Sequence, residues 1–546
     1  MNSDTDTSKD ILQVQDLNVD AVTRFGETLN IVKNISFSVA AGKVISLIGE
    51  SGSGKSTISL ATMAYARPGC LIRSGKVLLE DRDLLTLNAT ERQRARGADI
   101  AYIAQSAAAA FNGALTIGFQ VMEIANLKGI MTKREAEERA ISLYKQLDLP
   151  NPETIGKLYP HQVSGGQLQR LMAAMAMMCY PKLLILDEPT TALDVTTQIE
   201  VLQAFKRLIQ NENTAAIYVS HDLSVVTQMA DEILVLKDGS MVELNSKEAI
   251  INDPQEKYTK MLMGAVPTIP ENPVSQSEIK SESLLKVDNV TAGYGLHGQI
   301  TILKNVSLEM KQGETVGVIG ESGSGKTTLG RVISGLMKPT QGKLLLEGKT
   351  LDHKVVDRSR DDLRQIQFVF QMAETALNPK QRIRHLLGRP LDFYLGKTGK
   401  EAEERIYELL DLVELPAEFI NRFPRELSGG QLQRVNFARA LAAEPKLIIC
   451  DEITSALDTL VSKAIIELLL NLKKKLNIAY LFISHDLSTV ANLADSVAVM
   501  RNGEIVEYGS TEKVLKPPYH EYTELLLDSI PKLKQGWLET VSSHIS

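Results

Sequence analysis

Cysteine is scarce in this chain of 546 residues, which contains only three. Cys70, Cys179 and Cys450 lie far apart in the sequence, so they have neither the spacing of a metal-ligand cluster nor that of a disulfide framework. We interpret them as buried free thiols of a protein that works in a reducing compartment.

Long apolar runs are missing as well. The longest one extends from Leu171 to Tyr180, which is ten residues. A helix that crosses a bilayer needs about 18 or more, so this run is better interpreted as a core helix. Residues 1–10 are polar and lack the apolar segment of a secretory signal. The sequence therefore predicts neither a membrane span nor export.

An excess of positive charge is also absent. The chain has 60 Lys and Arg against 67 Asp and Glu, a net charge of −7. This argues against broad binding to nucleic acid, for which a basic surface is the usual footprint. Hydrophobic residues make up 44% and charged residues 23%, as in soluble globular proteins. The length predicts several domains, each with a buried core.

What the sequence does contain is an internal repeat of about 270 residues. Four blocks recur in the same order: GESGSGK[ST] at 49–56 and 320–327, SGGQ at 164–167 and 428–431, DE at 187–188 and 451–452, and SHD at 220–222 and 484–486. Such a long period indicates a duplicated domain rather than a solenoid of short units. We predict a first domain at 11–267, a linker rich in Pro, Ser and Glu at 268–283, a second domain at 284–531 and a tail at 532–546.

Each copy alternates short apolar runs with helical patterns. The runs 43–48, 183–186 and 216–219 each end at a polar motif. Near-continuous apolar runs of this length are typical of parallel strands buried on both faces of a sheet. Functional residues are expected at the carboxyl ends of such strands. The stretch from Gln105 to Ser164 has a helical pattern, which predicts a helical insertion in each copy.

The first block, G-x-x-x-x-G-K-[ST] between a strand and a helix, is the phosphate-binding loop. Its backbone N–H groups can turn inward on phosphate oxygens. Lys55 and Lys326 can reach the β- and γ-phosphates, and the hydroxyls of Ser56 and Thr327 can hold Mg²⁺. The predicted ATP contacts in the two loops are Gly49, Ser51, Gly52, Ser53, Gly54, Lys55, Ser56 and Thr57, and Gly320, Ser322, Gly323, Ser324, Gly325, Lys326, Thr327 and Thr328.

The acidic pairs end the apolar runs 183–186 and 447–450. Asp187 and Asp451 are placed to bind Mg²⁺ directly or through water. The following residues, Glu188 and Glu452, are predicted to orient and deprotonate an attacking water.

The SGGQ blocks each precede a helical pattern, so their serines are predicted helix N-caps and their glycines allow close backbone approach. A helix start of this kind is a second anion site in each copy. The predicted contacts are Ser164, Gly165, Gly166 and Gln167, and Ser428, Gly429, Gly430 and Gln431.

An SGGQ block between a phosphate loop and an Asp-Glu pair resembles the signature of ABC-type ATPases, and the resemblance covers nearly the whole chain twice. It implies an α/β fold of two tandem P-loop NTPase domains, each with a mainly parallel sheet core, a helical subdomain and an antiparallel β element. It also implies that Gln105 and Gln371 sense Mg²⁺ and the transmembrane partner, and that His221 and His485 contact the γ-phosphate. The segments 192–194 and 456–458 match the D-loops of the family.

The same resemblance implies that the two copies clamp head to tail over two ATP molecules. Each site would then join the phosphate loop of one copy to the signature of the other. Members of the family usually stack the adenine on an aromatic ring near the start of each domain. Tyr294 has that place in the second copy, whereas the first copy has Ala21, with Phe25 four residues later. We therefore expect the two sites to differ in ATP affinity.

Tyr159-Pro-His-Gln162 and the ends of both copies resemble ATPases of peptide and nickel importers. The chain lacks the C-terminal cysteine cluster of some members, so we expect no iron–sulfur centre. The resemblance implies an ATPase, with ATP and Mg²⁺ as cofactors, that energises a bacterial importer of peptides or similar solutes. It would sit peripherally on the cytoplasmic face of the inner membrane with two permease subunits and, indirectly, an extracytoplasmic solute-binding protein. The alternatives are a soluble twin ATPase that acts on ribosomes, or an energy module for export or for DNA repair.

Overall fold

The computed structural model of the chain describes residues 10–22, 26–190, 193–270, 282–295, 300–455, 457–533 and 536–545. These residues form two compact units. One unit comprises the described residues up to Val266 and those from Pro531 onward, and the other runs from Pro267 to Ile530. The sequence-based domain boundaries remain a prediction.

The first unit contains a four-stranded antiparallel sheet and a six-stranded, mainly parallel sheet. Their strands are β1 (Asp10–Val22), β2 (Thr28–Ala40), β3 (Val44–Ile48), β4 (Cys70–Leu79), β5 (Arg82–Asp83), β6 (Ile100–Ile103), β7 (Leu183–Asp187), β8 (Ala215–Val219), β9 (Glu232–Lys237) and β10 (Ser240–Ser246). The strand orders are β2-β1-β4-β5 and β10-β9-β3-β8-β7-β6, and β10 is the antiparallel edge strand. Every residue of β3, β7 and β8 is buried, as the apolar runs predict.

Helices connect these strands. They are α1 (Lys55–Ala61), α2 (Ala89–Ala95), α3 (Ala107–Ala110), α4 (Ile117–Lys128), α5 (Lys133–Gln146), α6 (Gly165–Met177), α7 (Val195–Asn211), α8 (Leu223–Met229), α9 (Lys247–Asn252) and α10 (Lys257–Met263). The helical insertion predicted between Gln105 and Ser164 corresponds to α3, α4 and α5. The predicted core helix around 171–180 is α6, which has nine buried residues because it packs inside the unit.

The second unit repeats this architecture. Its strands are β11 (Ser283–Tyr294), β12 (Ile300–Lys311), β13 (Thr315–Ile319), β14 (Gln341–Leu346), β15 (Lys349–Thr350), β16 (Ile366–Val369), β17 (Leu447–Asp451), β18 (Ala479–Ile483), β19 (Ser496–Arg501) and β20 (Glu504–Ser510). The two sheets have the orders β12-β11-β14-β15 and β16-β17-β18-β13-β19-β20, which match those of the first unit.

The helices of the second unit follow the same plan. They are α11 (Lys326–Ile333), α12 (Arg360–Gln365), α13 (Ala373–Ala376), α14 (Ile383–Leu395), α15 (Gly399–Leu412), α16 (Gly429–Leu441), α17 (Thr459–Leu476), α18 (Leu487–Leu493), α19 (Thr511–Val514) and α20 (Glu521–Asp528). The last helix, α21 (Trp537–Ile545), belongs to the first unit.

One apolar core in each unit joins the antiparallel sheet to the parallel sheet. In the first unit, Leu12 and Ile35 of the antiparallel sheet lie in the same cluster as Leu47 and Ile217 of the parallel sheet. Burying both faces of the parallel strands leaves only their ends open, so the motif residues collect there. The predicted fold of two P-loop domains with parallel cores is confirmed. Within the described part of the chain, each helix is too short or too polar to cross a membrane.

Candidate nucleotide-binding sites

Each phosphate loop wraps around its own lysine. Lys55 Nζ donates to the carbonyl oxygens of Gly49 and Glu50 at 2.7 and 2.8 Å. Lys326 makes the equivalent bonds to Gly320 and Glu321, both at 2.8 Å. The ammonium is thereby held inside the loop, at the point where phosphate oxygens are expected.

Glycine is required where each loop enters its helix. Gly54 and Gly325 are the N-cap residues of α1 and α11, with φ of 99° and 105°. Residues with a Cβ rarely adopt this left-handed conformation. In each loop one serine hydroxyl, that of Ser53 or Ser324, is buried without a hydrogen-bond partner among the described residues. Each loop thus has a cradle of the kind that binds phosphate.

The residues predicted to hold Mg²⁺ are brought together in both units. Ser56 Oγ donates to Asp187 Oδ1 at 3.2 Å, and Thr327 Oγ1 donates to Asp451 Oδ1 at 3.0 Å. Hydroxyl and carboxylate oxygens are the ligands that Mg²⁺ prefers, so these residues fit the ion. Burial raises the pKa of the Asp451 carboxyl, although the hydrogen bond from Thr327 opposes the shift.

The predicted general bases directly follow β7 and β17. Glu188 and Glu452 have φ of 52° and 48°, which is uncommon for a residue with a side chain. Their N–H groups donate to the carbonyl oxygens of Val219 and Ile483, both at 2.9 Å. These bonds fix the turn in which each carboxylate leaves the sheet edge.

The predicted glutamines contact these carboxylates. Gln105 Nε2 donates to Glu188 Oε2 at 3.2 Å, and Gln371 Nε2 donates to Glu452 Oε2 at 3.2 Å. Gln371 also donates to Ser455 Oγ at 3.1 Å. The structure therefore places each glutamine beside the glutamate that follows the adjacent strand.

The predicted histidines lie on the other oxygen of the same carboxylates. His221 Nδ1 is 3.3 Å from Glu188 Oε1, and His485 Nδ1 is 3.6 Å from Glu452 Oε1. Burial lowers the pKa of each imidazole, but the hydrogen bond and charge of the glutamate outweigh burial, so both pKa values lie above 6.5. The hydrogen bond from His485 is in turn the main cause that lowers the pKa of Glu452. The His485–Glu452 pair therefore favours an ionised Glu452.

Each signature forms a capping box. Ser164 Oγ accepts from Gln167 N at 3.3 Å, while Ser164 N donates to Gln167 Oε1 at 3.1 Å. In the second unit, the corresponding distances between Ser428 and Gln431 are 3.4 and 3.0 Å. These reciprocal bonds fix the start of α6 and α16, and Ser164 and Ser428 are the N-caps that the sequence predicts.

The two signature glycines have different surroundings. A Cβ on Gly166 would lie 2.2 Å from Thr197 Cγ2, and one on Gly430 would lie 2.5 Å from Val461 Cγ1. A Cβ on Gly165 would meet nothing closer than Leu193 Cδ2 at 3.9 Å. The second glycine is therefore required for packing against the following helix, and the first leaves open space.

The D-loop helices begin in the same way in both units. Asp194 Oδ1 accepts from Thr197 N at 3.0 Å, and Asp458 Oδ1 accepts from Val461 N at 3.0 Å. Both aspartates are the N-caps of their helices. The first residues of the predicted segments, Ala192 and Ala456, lie outside the described residues.

The positions predicted to face adenine are equivalent by strand register. Ala21, one residue before the end of β1, pairs with Leu29, and Tyr294, the last residue of β11, pairs with Ile300. The hydroxyl of Tyr294 accepts from Arg331 Nη1 at 3.3 Å, and the residue is 45% exposed. It is therefore available to a planar ligand. Phe25 lies outside the described residues.

The sequence analysis missed one contact. Tyr102 OH donates to Asp187 Oδ2 at 2.8 Å. A comparison of the two copies shows that Tyr102, three residues before Gln105, corresponds to Phe368, three residues before Gln371, but it does not show the partner of the hydroxyl.

Two family models match this chain. The family described as ABC transporter matches residues 32–191 and 303–455. The family described as oligopeptide/dipeptide transporter, C-terminal region, matches residues 242–291 and 506–544.

Two curated relatives extend over almost the whole chain. The glutathione import ATP-binding proteins GsiA of Shigella dysenteriae serotype 1 and of Escherichia coli K12 are each 38% identical, over 97% of this chain and 91% of their own length. A solved dimeric structure of the ATP-binding cassette MJ0796, bound to ADP and phosphate, is 34% identical. It covers 42% of this chain and 99% of its own, with a TM-score of 0.38. The chain therefore belongs to the ABC transporter family, as an ATP-hydrolysing, energy-coupling subunit of the importer type with two cassette domains in one polypeptide.

Proposed function

We propose that this chain energises the uptake of small peptides, with two transmembrane permease subunits as partners at the cytoplasmic face of the inner membrane. The observation that carries this proposal is the match to the oligopeptide/dipeptide transporter C-terminal region at the end of both copies. The curated relatives are named for the import of glutathione, which is itself a short peptide. Solute capture would fall to an extracytoplasmic binding protein.

In the proposed mechanism the two lysines bind the phosphates of ATP. Ser56, Gln105 and Asp187 would hold Mg²⁺ in one site, and Thr327, Gln371 and Asp451 would hold it in the other. Bound Mg²⁺ neutralises charge that develops on the transferred phosphoryl group. The lysine ammonium adds a fixed positive charge, already positioned by two carbonyl oxygens in each loop.

Glu188 and Glu452 are the proposed general bases. A base must be ionised and correctly oriented before it can take a proton from water. The neighbouring histidine supplies positive charge on one carboxylate oxygen, and the glutamine amide binds the other. Each carboxylate is thus held from both sides. The pairing of each phosphate loop with the signature of the other copy remains a prediction.

The alternative functions would couple the same ATP hydrolysis to a process other than uptake. A ribosome-bound twin ATPase or an export module would hydrolyse ATP without taking up peptide. The C-terminal-region match favours the importer, because it concerns a segment outside the catalytic motifs.

An uptake assay tests the proposal. Cells that depend on this chain should take up labelled glutathione or a labelled dipeptide, and the double variant Glu188→Gln, Glu452→Gln should abolish uptake. Glu444→Gln is a matched control, since Glu444 shares the left-handed backbone, with φ of 51°, but lies outside the motifs. Unchanged uptake in the double variant, or its ATP-dependent co-sedimentation with ribosomes, would contradict the proposal.

A further inference from the structure

The chain passes from one unit to the other after the last helix of each copy. The last helix of the first copy, α10, ends at Met263, and from Pro267 the chain belongs to the second unit. The last helix of the second copy, α20, ends at Asp528, and from Pro531 the chain belongs to the first unit. Both changes occur at the same place in the repeat, 264 residues apart.

The contacts made after each crossing are equivalent as well. In the first unit, Gln228 Nε2 of α8 donates to the carbonyl oxygen of Lys532 at 2.6 Å. In the second unit, Asn492 Nδ2 of α18 donates to the carbonyl oxygen of Thr268 at 2.8 Å. Donor and acceptor residues are both separated by 264 positions between the units. The repeat therefore encodes this contact twice.

Helix α21 adds further contacts in the first unit. The other end of the Gln228 amide, Oε1, accepts from Leu538 N at 3.3 Å, and Gln203 Nε2 donates to Leu538 O at 2.9 Å. Lys206 Nζ donates to Glu539 Oε1 at 2.7 Å and to the carbonyl oxygen of Gln228 at 3.0 Å. One buried amide thus binds the segment at two places, Lys532 and Leu538.

The apolar side of α21 is covered. Trp537, Leu538 and Val541 are 5%, 1% and 6% exposed. Burial of a tryptophan and two aliphatic side chains gives the contact an apolar component, which its polar bonds orient.

The helices beneath α21 lead to the ATP site of the first unit. Helix α7 begins at the D-loop residue Asp194, and α8 begins at Asp222, next to His221. Lys206 joins the two helices through its bond to Gln228. The docked segment therefore rests on the far parts of the two elements that carry the D-loop and the histidine.

We propose that Gln203, Lys206 and Gln228 form a docking site for the C-terminal segment, of which residues 531–533 and 536–545 are described, and that this segment is a second tether between the copies. The linker after Val266 leads from the first unit to the second, and the docked segment leads back. The first unit therefore contains the segment that follows the second copy, and the second unit contains the segment that follows the first copy. A tethered segment meets its site at an effective concentration on the order of millimolar, so a small contact is sufficient.

Trp537 is the one tryptophan of the chain, so its fluorescence reports on docking. We expect a blue-shifted emission and weak quenching by acrylamide in the full chain. Lys206→Glu and Glu539→Lys should each shift the emission to the red and increase quenching, and the double charge reversal should restore both. Asn492→Ala, in the equivalent position of the second unit, should leave Trp537 unchanged. An exposed Trp537 in the parent chain, or single variants without effect, would overturn the docking site. If Trp537 is as exposed in the double variant as in the single variants, the Lys206–Glu539 contact is not the basis of docking.

A cleavage experiment tests the tether. A protease site is introduced within 271–281, in the predicted linker, and the purified chain is cut there. We expect the two fragments to remain together on a sizing column without nucleotide, and Glu539→Lys to increase the separated fraction at a given dilution. The Lys206→Glu, Glu539→Lys double variant should return that fraction to the parent level. Complete separation of the parent fragments, or equal separation with and without Glu539→Lys, would overturn the tether.

Discussion

The hydroxyl of Tyr102 donates a 2.8 Å hydrogen bond to Oδ2 of Asp187. Tyr102 lies in β6 opposite Ile185 of β7, and Phe368 has the same place in β16, opposite Ile449 of β17. The two copies therefore share their acidic motif but differ in a side chain that positions it.

Tyr102→Phe should lower the free energy of unfolding of the first unit. The change leaves a buried carboxylate oxygen without this donor, a loss of roughly 1–3 kcal/mol. Denaturant unfolding of the parent and the variant measures the difference. Tyr480→Phe is the matched control, because the Tyr480 hydroxyl is buried and has no hydrogen-bond partner in the described part of the chain, so its removal should cost nothing. Equal effects of the two variants would contradict the prediction.

Glu188→Gln and Glu452→Gln should each reduce the rate of ATP hydrolysis at least about tenfold, as expected for the loss of a general base. The steady-state phosphate release of purified chains measures this. Glu444→Gln tests whether the left-handed backbone, rather than the carboxylate, is responsible. Near-full activity in either single variant would show that its site does not depend on the glutamate.

The two ATP sites should differ in affinity. Stacking of a base on an aromatic ring contributes roughly 1–3 kcal/mol, so Tyr294→Ala should weaken the tighter class of sites roughly 5- to 100-fold. Ala21→Tyr should strengthen the weaker class. Nucleotide titration of the parent and both variants tests this. Two equal sites in the parent, with no change in Tyr294→Ala, would rule out the asymmetry.

The His221–Glu188 pair should stabilise the protein more at low pH. The pKa of the folded-state imidazole is raised above 6.5, so its contribution is complete below that value and is lost as the pH rises through the folded pKa. The advantage of the parent over His221→Gln should be larger at about pH 6 than at about pH 8. The same comparison with His161→Gln is the control, since exposed His161 stacks on Tyr159. An advantage that grows with pH would contradict the assignment.

Gly166→Ala should destabilise the first unit by roughly 1–3 kcal/mol, because the new methyl group would overlap Thr197. Gly165→Ala should not, since its position is open. Thermal unfolding of the two variants separates these outcomes. A Gly165→Ala loss as large as that of Gly166→Ala would show that packing is not the difference.

Local patterns predicted the strands that precede the phosphate loop, the acidic pair and the histidine, because each of these strands is a short, continuously buried apolar run. The run 183–186 is continuous and apolar, so both the strand and the position of Asp187 follow from it. The capping residue Ser164 is equally local, since its partner is three residues away.

Contacts between distant residues were not predictable in this way. Tyr102 and Asp187 are 85 residues apart, and nothing in the spacing of either motif indicates that they meet. The C-terminal segment reads as a tail, and only the three-dimensional structure brings Leu538 to Gln228, 310 residues earlier in the sequence. The sequence predicts that Gly166, the second signature glycine, contacts the ligand, whereas in the structure it packs against Thr197.

The capping box at each signature also limits the donors that the helix offers to an anion. A helix start has four backbone N–H groups without partners inside the helix. The reciprocal bonds between Ser164 and Gln167 satisfy two of them, which leaves the N–H groups of Gly165 and Gly166. A phosphate bound there would thus accept hydrogen bonds from the two glycine N–H groups and from the serine hydroxyl. Substituting the serine would then remove its hydroxyl and would also change the positions of the two glycine N–H groups.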